Sequence, residues 1–266
     1  MASPQEPYFT ENGKTFVPSD VARGGWGPTV GGHAIGGLLA RAVESERADE
    51  TLIPARFTVD ILRRVALAPV RVEASVVRSG RRMQAVDAVM TQDGELVARA
   101  ATLFLRQSEQ PQEIPWTPTR SMPPLPEELT ALPKGVPMQI VPYNDGVEMS
   151  GQLPWQQDGL RQAWIREIRS LVGDEELTPF IRAAMAVDVT ASMTGFTRTG
   201  LGFINADYTL TLCRLPKGSF VGLAGLTHHS AAGVGVGAAT LFDAEGPIGT
   251  GVTTAAANTT FRGGAL

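Results

Sequence analysis

Asp188 interrupts a largely apolar run, Pro179-Phe180-Ile181-Arg182-Ala183-Ala184-Met185-Ala186-Val187-Asp188-Val189-Thr190-Ala191-Ser192-Met193. Thr178 suits a helix cap, Pro179 suits a first turn, and Ile181, Met185 and Met193 recur on one face, so the run predicts a short helix carrying one acid. A carboxylate on such a surface needs a partner or a purpose, because an unpaired buried charge is costly and shifts its pKa instead. Such an acid can take a proton from water as a general base, or attack as a nucleophile. The plain alternative is an acid on an exposed helix face.

The second chemically suggestive stretch is Trp26-Gly27-Pro28-Thr29-Val30-Gly31-Gly32-His33, a glycine-rich loop leading into a helix over Ala34–Glu44. The first N–H groups of a helix have no partner within it, and the helix dipole favours negative charge there. Gly31, Gly32 and His33, and equally Phe180 and Ile181 at the start of the other helix, are therefore candidate donors to an oxyanion or a substrate. The glycines read as well as a loop that lets another backbone approach closely.

Other chemistries fit less well. The chain contains no Gly-x-Ser-x-Gly elbow and no glycine-rich loop ending in Gly-Lys-Ser/Thr. Gly233-Val234-Gly235-Val236-Gly237 continues into a strand and opens no helix, so it is not a dinucleotide fingerprint. His228 and His229 are neighbours on a strand and point to opposite faces, which argues against a metal site. The lone Cys213, among Thr and apolar residues of a predicted strand, reads as a small buried thiol. With 23 basic and 27 acidic residues and a net charge of -4, nucleic acid is not the expected partner. Neither a signal-peptide pattern nor a long apolar run is present, and a cytoplasmic protein that does not engage the membrane is expected.

Around these residues the 266-residue chain has a regular plan. The first helix is followed by four strand-like segments, 56–62, 70–77, 83–90 and 96–105, with hairpin breaks at Ser79-Gly80 and Gln92-Asp93-Gly94. Residues 108–134 are rich in proline and read as a linker. Strands are then expected near 138–141, 147–149 and 163–169, followed by the Asp188 helix and four strands centred on Tyr208, Gly222, Val236 and Val252. The second half repeats the first. Arg63 matches Arg214 at a spacing of 151, and Asp93-Gly94 matches Glu245-Gly246 at 152, which carries Thr102 onto Thr254. Gly37 stands 151 positions before Asp188, so the repeated unit can be built without an acid there. An acid the module does not require is better read as functional.

A helix wrapped by an antiparallel sheet, present twice, resembles the TesB-like double hot-dog acyl-CoA thioesterases, in particular their actinobacterial branch. The resemblance rests on Trp26-Gly27-Pro28 with Gly31-Gly32-His33, on the Asp188 helix, and on Ile204-Asn205-Ala206-Asp207-Tyr208-Thr209 followed by Arg214. It implies an α+β double hot-dog fold, with an N-terminal module at 1–107, a linker at 108–134 and a C-terminal module carrying the acid at 135–266. It also implies a thioester hydrolase of fatty acid metabolism that needs no cofactor or metal and takes acyl-CoA as substrate. In such enzymes a helical acid, a strand hydroxyl or amide and a glutamine on the last strand hold the attacking water. Asp188 matches the acid, Asn205 falls at the strand Thr or Ser, and Thr254 falls at the glutamine; the last two depart from the family pattern. A hot-dog hydratase fits less well, since Val189 to Phe196 contain no histidine. The competing class is an idle hot-dog protein that binds acyl groups or serves in an assembly. The two sheets are expected to join edge to edge, and a homo-oligomer, dimer or larger, is expected.

Overall fold

The structure is a computed structural model that describes residues 6–113, 115–116, 120–128, 135–149, 155–156 and 158–258. The first half contains β1 (Phe9–Asn12), β2 (Thr15–Pro18), α1 (Gly32–Ser45), β3 (Leu52–Ile61), β4 (Arg71–Ser79), β5 (Met83–Gln92) and β6 (Glu95–Arg106). The second contains β7 (Met138–Asn144), β8 (Val147–Glu148), β9 (Arg161–Glu167), α2 (Pro179–Ala186), α3 (Val189–Gly195), β10 (Phe196–Thr197), β11 (Gly200–Leu201), β12 (Phe203–Asn205), β13 (Asp207–Leu212), β14 (Val221–Ala231), β15 (Val234–Asp243) and β16 (Gly246–Ala257). This is the double hot-dog fold: helices α1, α2 and α3 are held against one antiparallel sheet of 12 strands, in the order β4-β5-β6-β3-β13-β16-β15-β14-β9-β7-β8 with β12 beside β16.

The two halves join where β3 pairs antiparallel with β13. Thr58 lies opposite Thr209, 151 positions later, and their hydroxyls are 3.0 Å apart. A residue facing its own repeat is the mark of a local two-fold axis. The same relation recurs at the rims. Gln92 accepts from the Ala66 N–H at 2.9 Å, and Asp243, its equivalent 151 positions on, accepts from the Lys217 N–H at 2.9 Å. Only the second copy uses a charge there, which Arg214 neutralises.

Helices α1 and α2 run antiparallel, with Gly32 beside Asp188 at one end and Glu44 bonded to Thr178 at the other. Close crossing explains the glycines inside α1. A β-carbon at Gly36 would overlap the hydroxyl of Tyr208, which passes between the helices and donates to the Ala184 carbonyl at 3.2 Å. Gly37 is enclosed by Leu171 and Met185. Leu38, Leu39, Phe57, Phe104, Phe180, Met185, Met193 and Tyr208 fill the core.

Three expectations need correction. The Asp188 helix is two helices, α2 and α3, with Val187 and Asp188 in the turn between them, so Asp188 lies at a break in the helix. Cys213 is exposed, with its thiol 3.3 Å from the Ile248 carbonyl, because it lies on the sheet face that does not meet the helices. The described part of the proline-rich segment has neither helix nor strand, but it is strapped to the second half. Pro123 O accepts from the Trp164 indole at 3.0 Å, Ser121 O from Gln162 at 2.9 Å and Glu127 O from Gln139 at 3.1 Å. Part of the C-terminal stretch, 259–266, lies outside the described residues, as do 1–5 and 129–134.

Candidate active site

Asp188 is delivered to the start of α1 by the α2–α3 break. Its carboxyl lies so close to Gly32 that a β-carbon there would be 2.5 Å from Oδ1 and 2.8 Å from Oδ2. The Asn205 amide donates to Oδ1 at 3.0 Å, and the His33 N–H also favours the anion. Enclosure by protein raises the Asp188 pKa from 3.8 to about 6, against the opposing pull of Asn205 and His33. Near neutral pH the acid is mostly ionised yet basic enough to accept a proton.

Asn205 reaches Asp188 because the strand carrying it is irregular. Asn205 is opposite Ala255, and Thr209 is opposite Val252, so three residues on the β12–β13 side face two on β16. The extra residue is a β-bulge at Ala206–Asp207. Without it, alternation from the inward Tyr208 would send Asn205 to the far face of the sheet.

Thr254 is not brought to Asp188. Its hydroxyl donates to Asp207 at 2.8 Å, and its N–H to the same oxygen at 2.5 Å. The strands repeat at 151: Thr58 opposes Ala101 in the first half and Thr209 opposes Val252 in the second. Thr102 therefore corresponds to Thr253, which is buried and donates to the Asp207 carbonyl at 2.9 Å. The spacing of 152 is produced by the turn, and a one-residue slip reverses the face of every side chain.

Of the candidate donors, Gly32 and His33 lie at the site, and the Gly32 N–H donates to no acceptor among the described residues. The Gly31 N–H already donates to the Ala22 carbonyl at 2.9 Å. Phe180 and Ile181 are elsewhere. Phe180 is core, edge-on to Phe57 with ring centroids 5.3 Å apart, and the Ile181 N–H is capped by Thr178 at 3.2 Å. Thr178 also donates to Glu44 at 2.6 Å, and burial raises the pKa of Glu44. The start of α2 is thus closed by its Thr178 cap and by Glu44 of α1, whereas the start of α1 faces the Asp188 carboxyl.

Two residues beside the site were missed in the sequence. Glu167 is buried behind the His33 turn and accepts from the Tyr8 hydroxyl at 2.6 Å. Tyr8 packs edge-on to the buried His33 ring, with centroids 5.4 Å apart. A signal for Glu167 existed: it continues the inward alternation of Ala163 and Ile165 on β9 as an acid in a core position.

On this double hot-dog frame a carboxylate of raised pKa thus lies beside the Gly32 N–H, which has no acceptor among the described residues, at the start of α1. The acyl-CoA thioesterase N-terminal domain family matches residues 22–105, and the acyl-CoA thioesterase C-terminal domain family matches 115–256. The chain belongs to the TesB-like acyl-CoA thioesterase family and is a thioester hydrolase of acyl-CoA. No curated protein matches it in sequence. Among solved structures it is similar to a tesB protein of Mycobacterium avium subs paratuberculosis, 17% identical with a TM-score of 0.67, covering 94% of this chain and 96% of that one. A hot dog fold protein of Alicyclobacillus acidocaldarius is 15% identical with a TM-score of 0.70, covering 94% and 96%. The acyl-CoA thioesterase II TesB2 of Mycobacterium marinum is 13% identical with a TM-score of 0.64, covering 94% and 95%. At these identities the likeness is one of fold.

Proposed function

We propose that Asp188 is the general base of thioester hydrolysis. The carrying observation is its carboxyl, held by Asn205 at 3.0 Å against the start of α1. The ionised acid takes a proton from a water that the Asn205 carbonyl oxygen helps to orient. The hydroxide equivalent attacks the thioester carbon. Negative charge builds on the carbonyl oxygen, where the Gly32 N–H and the positive end of α1 stabilise it. Collapse breaks the C–S bond, and the proton on Asp188 passes to the departing thiolate, yielding the carboxylic acid and free CoA. Charge and protons balance without a cofactor or metal.

The working unit in this reading is the C-terminal module, 135–266, with the N-terminal module, 1–107, contributing α1 and the segment 108–134 connecting them. We also propose a role in fatty acid metabolism in the cytoplasm, as a homo-oligomer. Among the described residues no helix is long and apolar enough to cross a membrane.

Hydrolysis across acyl-CoA chain lengths by wild type and Asp188→Asn tests the mechanism. A general base contributes about 10²- to 10⁴-fold, so kcat should fall by that factor while acyl-CoA binding changes little. Equal rates would remove Asp188 as the base.

A further inference from the structure

Behind the start of α1 lies a buried polar cluster that the hydrolytic steps do not use. Glu167 Oε2 accepts from Tyr8 at 2.6 Å, while its Oε1 is buried with no partner. The Tyr8 hydroxyl also lies 3.0 Å from the Pro137 carbonyl, and its ring supports the His33 ring, whose Nε2 is likewise buried without a partner. His33 in turn presents its N–H to Asp188. Contacts thus run without a break from Glu167 through Tyr8 and His33 to the acid.

We propose that Glu167 is a positioning residue for the Asp188 site: protonated, it anchors Tyr8 and the His33 turn, and loss of its proton sets the alkaline limit of hydrolysis. This rests on the reading of Asp188 as the base. The groups that face Glu167 do not favour its charge. Tyr8 donates one hydrogen bond from the segment before β1, the His33 ring is on α1, and Asp188 at the α2–α3 break is an anion. On β7, Met138 pairs with it and brings no charge. Arg169, just beyond β9, is the nearby cation, but its guanidinium is spent on the Val136 and Glu6 carbonyls at 2.8 and 3.2 Å. Arg166 is turned to Glu128.

Burial, only partly opposed by the Tyr8 bond and reinforced by the Asp188 charge, raises Glu167 from 4.5 to about 8. Once ionised, it leaves a buried charge with one oxygen unpartnered, which is costly unless the cluster opens to water. Opening draws Tyr8, still bonded to the carboxylate, away from the His33 ring, and the His33 turn loses its support. A second negative charge also faces the place where the reaction builds its own.

Two variants and two readouts test this. Wild-type kcat should fall about tenfold between pH 7 and pH 9, as a single titration near the Glu167 value of about 8 requires. Glu167→Gln, which keeps the acceptor for Tyr8, should abolish that fall. Tyr8→Phe removes the bond that favours the anion, so the fall should move to higher pH. An unchanged alkaline limb in a folded Glu167→Gln, or in Tyr8→Phe if the first variant does not fold, overturns the proposal. Substrate-free NMR of the Glu167 side-chain carboxyl separates this from the mechanism. Its midpoint should lie above neutral and drop in Asp188→Asn, whereas titration in the ordinary carboxyl range overturns the proposal whatever the activity. A coupled Glu167 in a protein whose Asp188→Asn variant hydrolyses normally would instead refute the general-base reading.

Discussion

Gly32 and Asp188 meet so closely that a single methyl group would separate them: a β-carbon on Gly32 would stand 2.5 Å from Oδ1. The carboxyl rests against the bare backbone of the first helical residue, where the N–H groups and the helix dipole are strongest. Gly32→Ala should therefore push Asp188 off the helix start and lower kcat by about 10²-fold, as displacement of about 1 Å can. Steady-state kinetics with circular dichroism checks this, and full activity in a folded variant would mean that the close approach has no catalytic role.

The Asp188 pKa of about 6 predicts the acid side of the pH profile. The base works as the anion, so kcat/KM should rise with pH through a midpoint near 6. Asn205 pulls that midpoint down. Asn205→Ala should consequently move the rising limb to higher pH and reduce the plateau about tenfold to a hundredfold through loss of water positioning. A limb that stays in place would remove Asn205 from the site.

Thr254 and Asn205 should behave differently. Because Thr254 bonds Asp207 on the other sheet face, Thr254→Val should change kcat less than threefold while lowering the melting temperature through the lost bond to Asp207, a loss of about 1 kcal/mol. If Thr254→Val lost as much activity as Asn205→Ala, the assignment of faces would be wrong.

The same burial that makes Asp188 basic makes it a liability to the fold. Its folded pKa is above its unfolded value of 3.8, so the unfolded chain ionises first. The stability tied to the neutral acid is complete below about pH 4 and is lost as pH rises through about 6. At pH 7.5 Asp188→Asn should thus be more stable than wild type, by up to about 3 kcal/mol, and near pH 4 the gain should vanish. Denaturant melts at the two pH values test the sign.

Asp243 has the opposite sign. Burial pushes its pKa up, but Arg214 and the N–H groups of Lys217 and Glu245 outweigh this and hold it at about 2. Its stabilising contribution is present above the unfolded pKa of 3.8 and is lost as pH falls toward 2. Asp243→Ala leaves Arg214 without its ion-pair partner and two N–H groups without an acceptor, and should cost about 3 kcal/mol at neutral pH. Thermal melts of the variant and of Arg214→Met, which removes the other partner, give the comparison.

By itself the sequence determined the modules and the acid. Apolar periodicity placed both helical regions and the long strands, because period 2 and period 3.6 leave different patterns on the chain. The spacing of 151 read from Arg63 and Arg214 is the one at which Thr209 follows Thr58, and the pairing of β3 with β13 sets those two opposite each other. Asp188 was legible as an acid where the fold asks for none. What the tertiary structure decided lay in register and in contacts distant along the chain. A spacing of 152 across a turn carried Thr102 to Thr254, although the strands pair at 151, and with a two-residue period one position exchanges the faces. The bulge at Ala206–Asp207 that aims Asn205 is visible only from its partner strand. Thr178 marks α2 as a capped start, but no local pattern shows which helix start Asp188 meets. The packing does, by setting Asp188 against Gly32 and closing the other end with Thr178 and Glu44. Tyr8 and Glu167, 159 positions apart, become a pair only when β9 and the start of the chain fold onto α1 together.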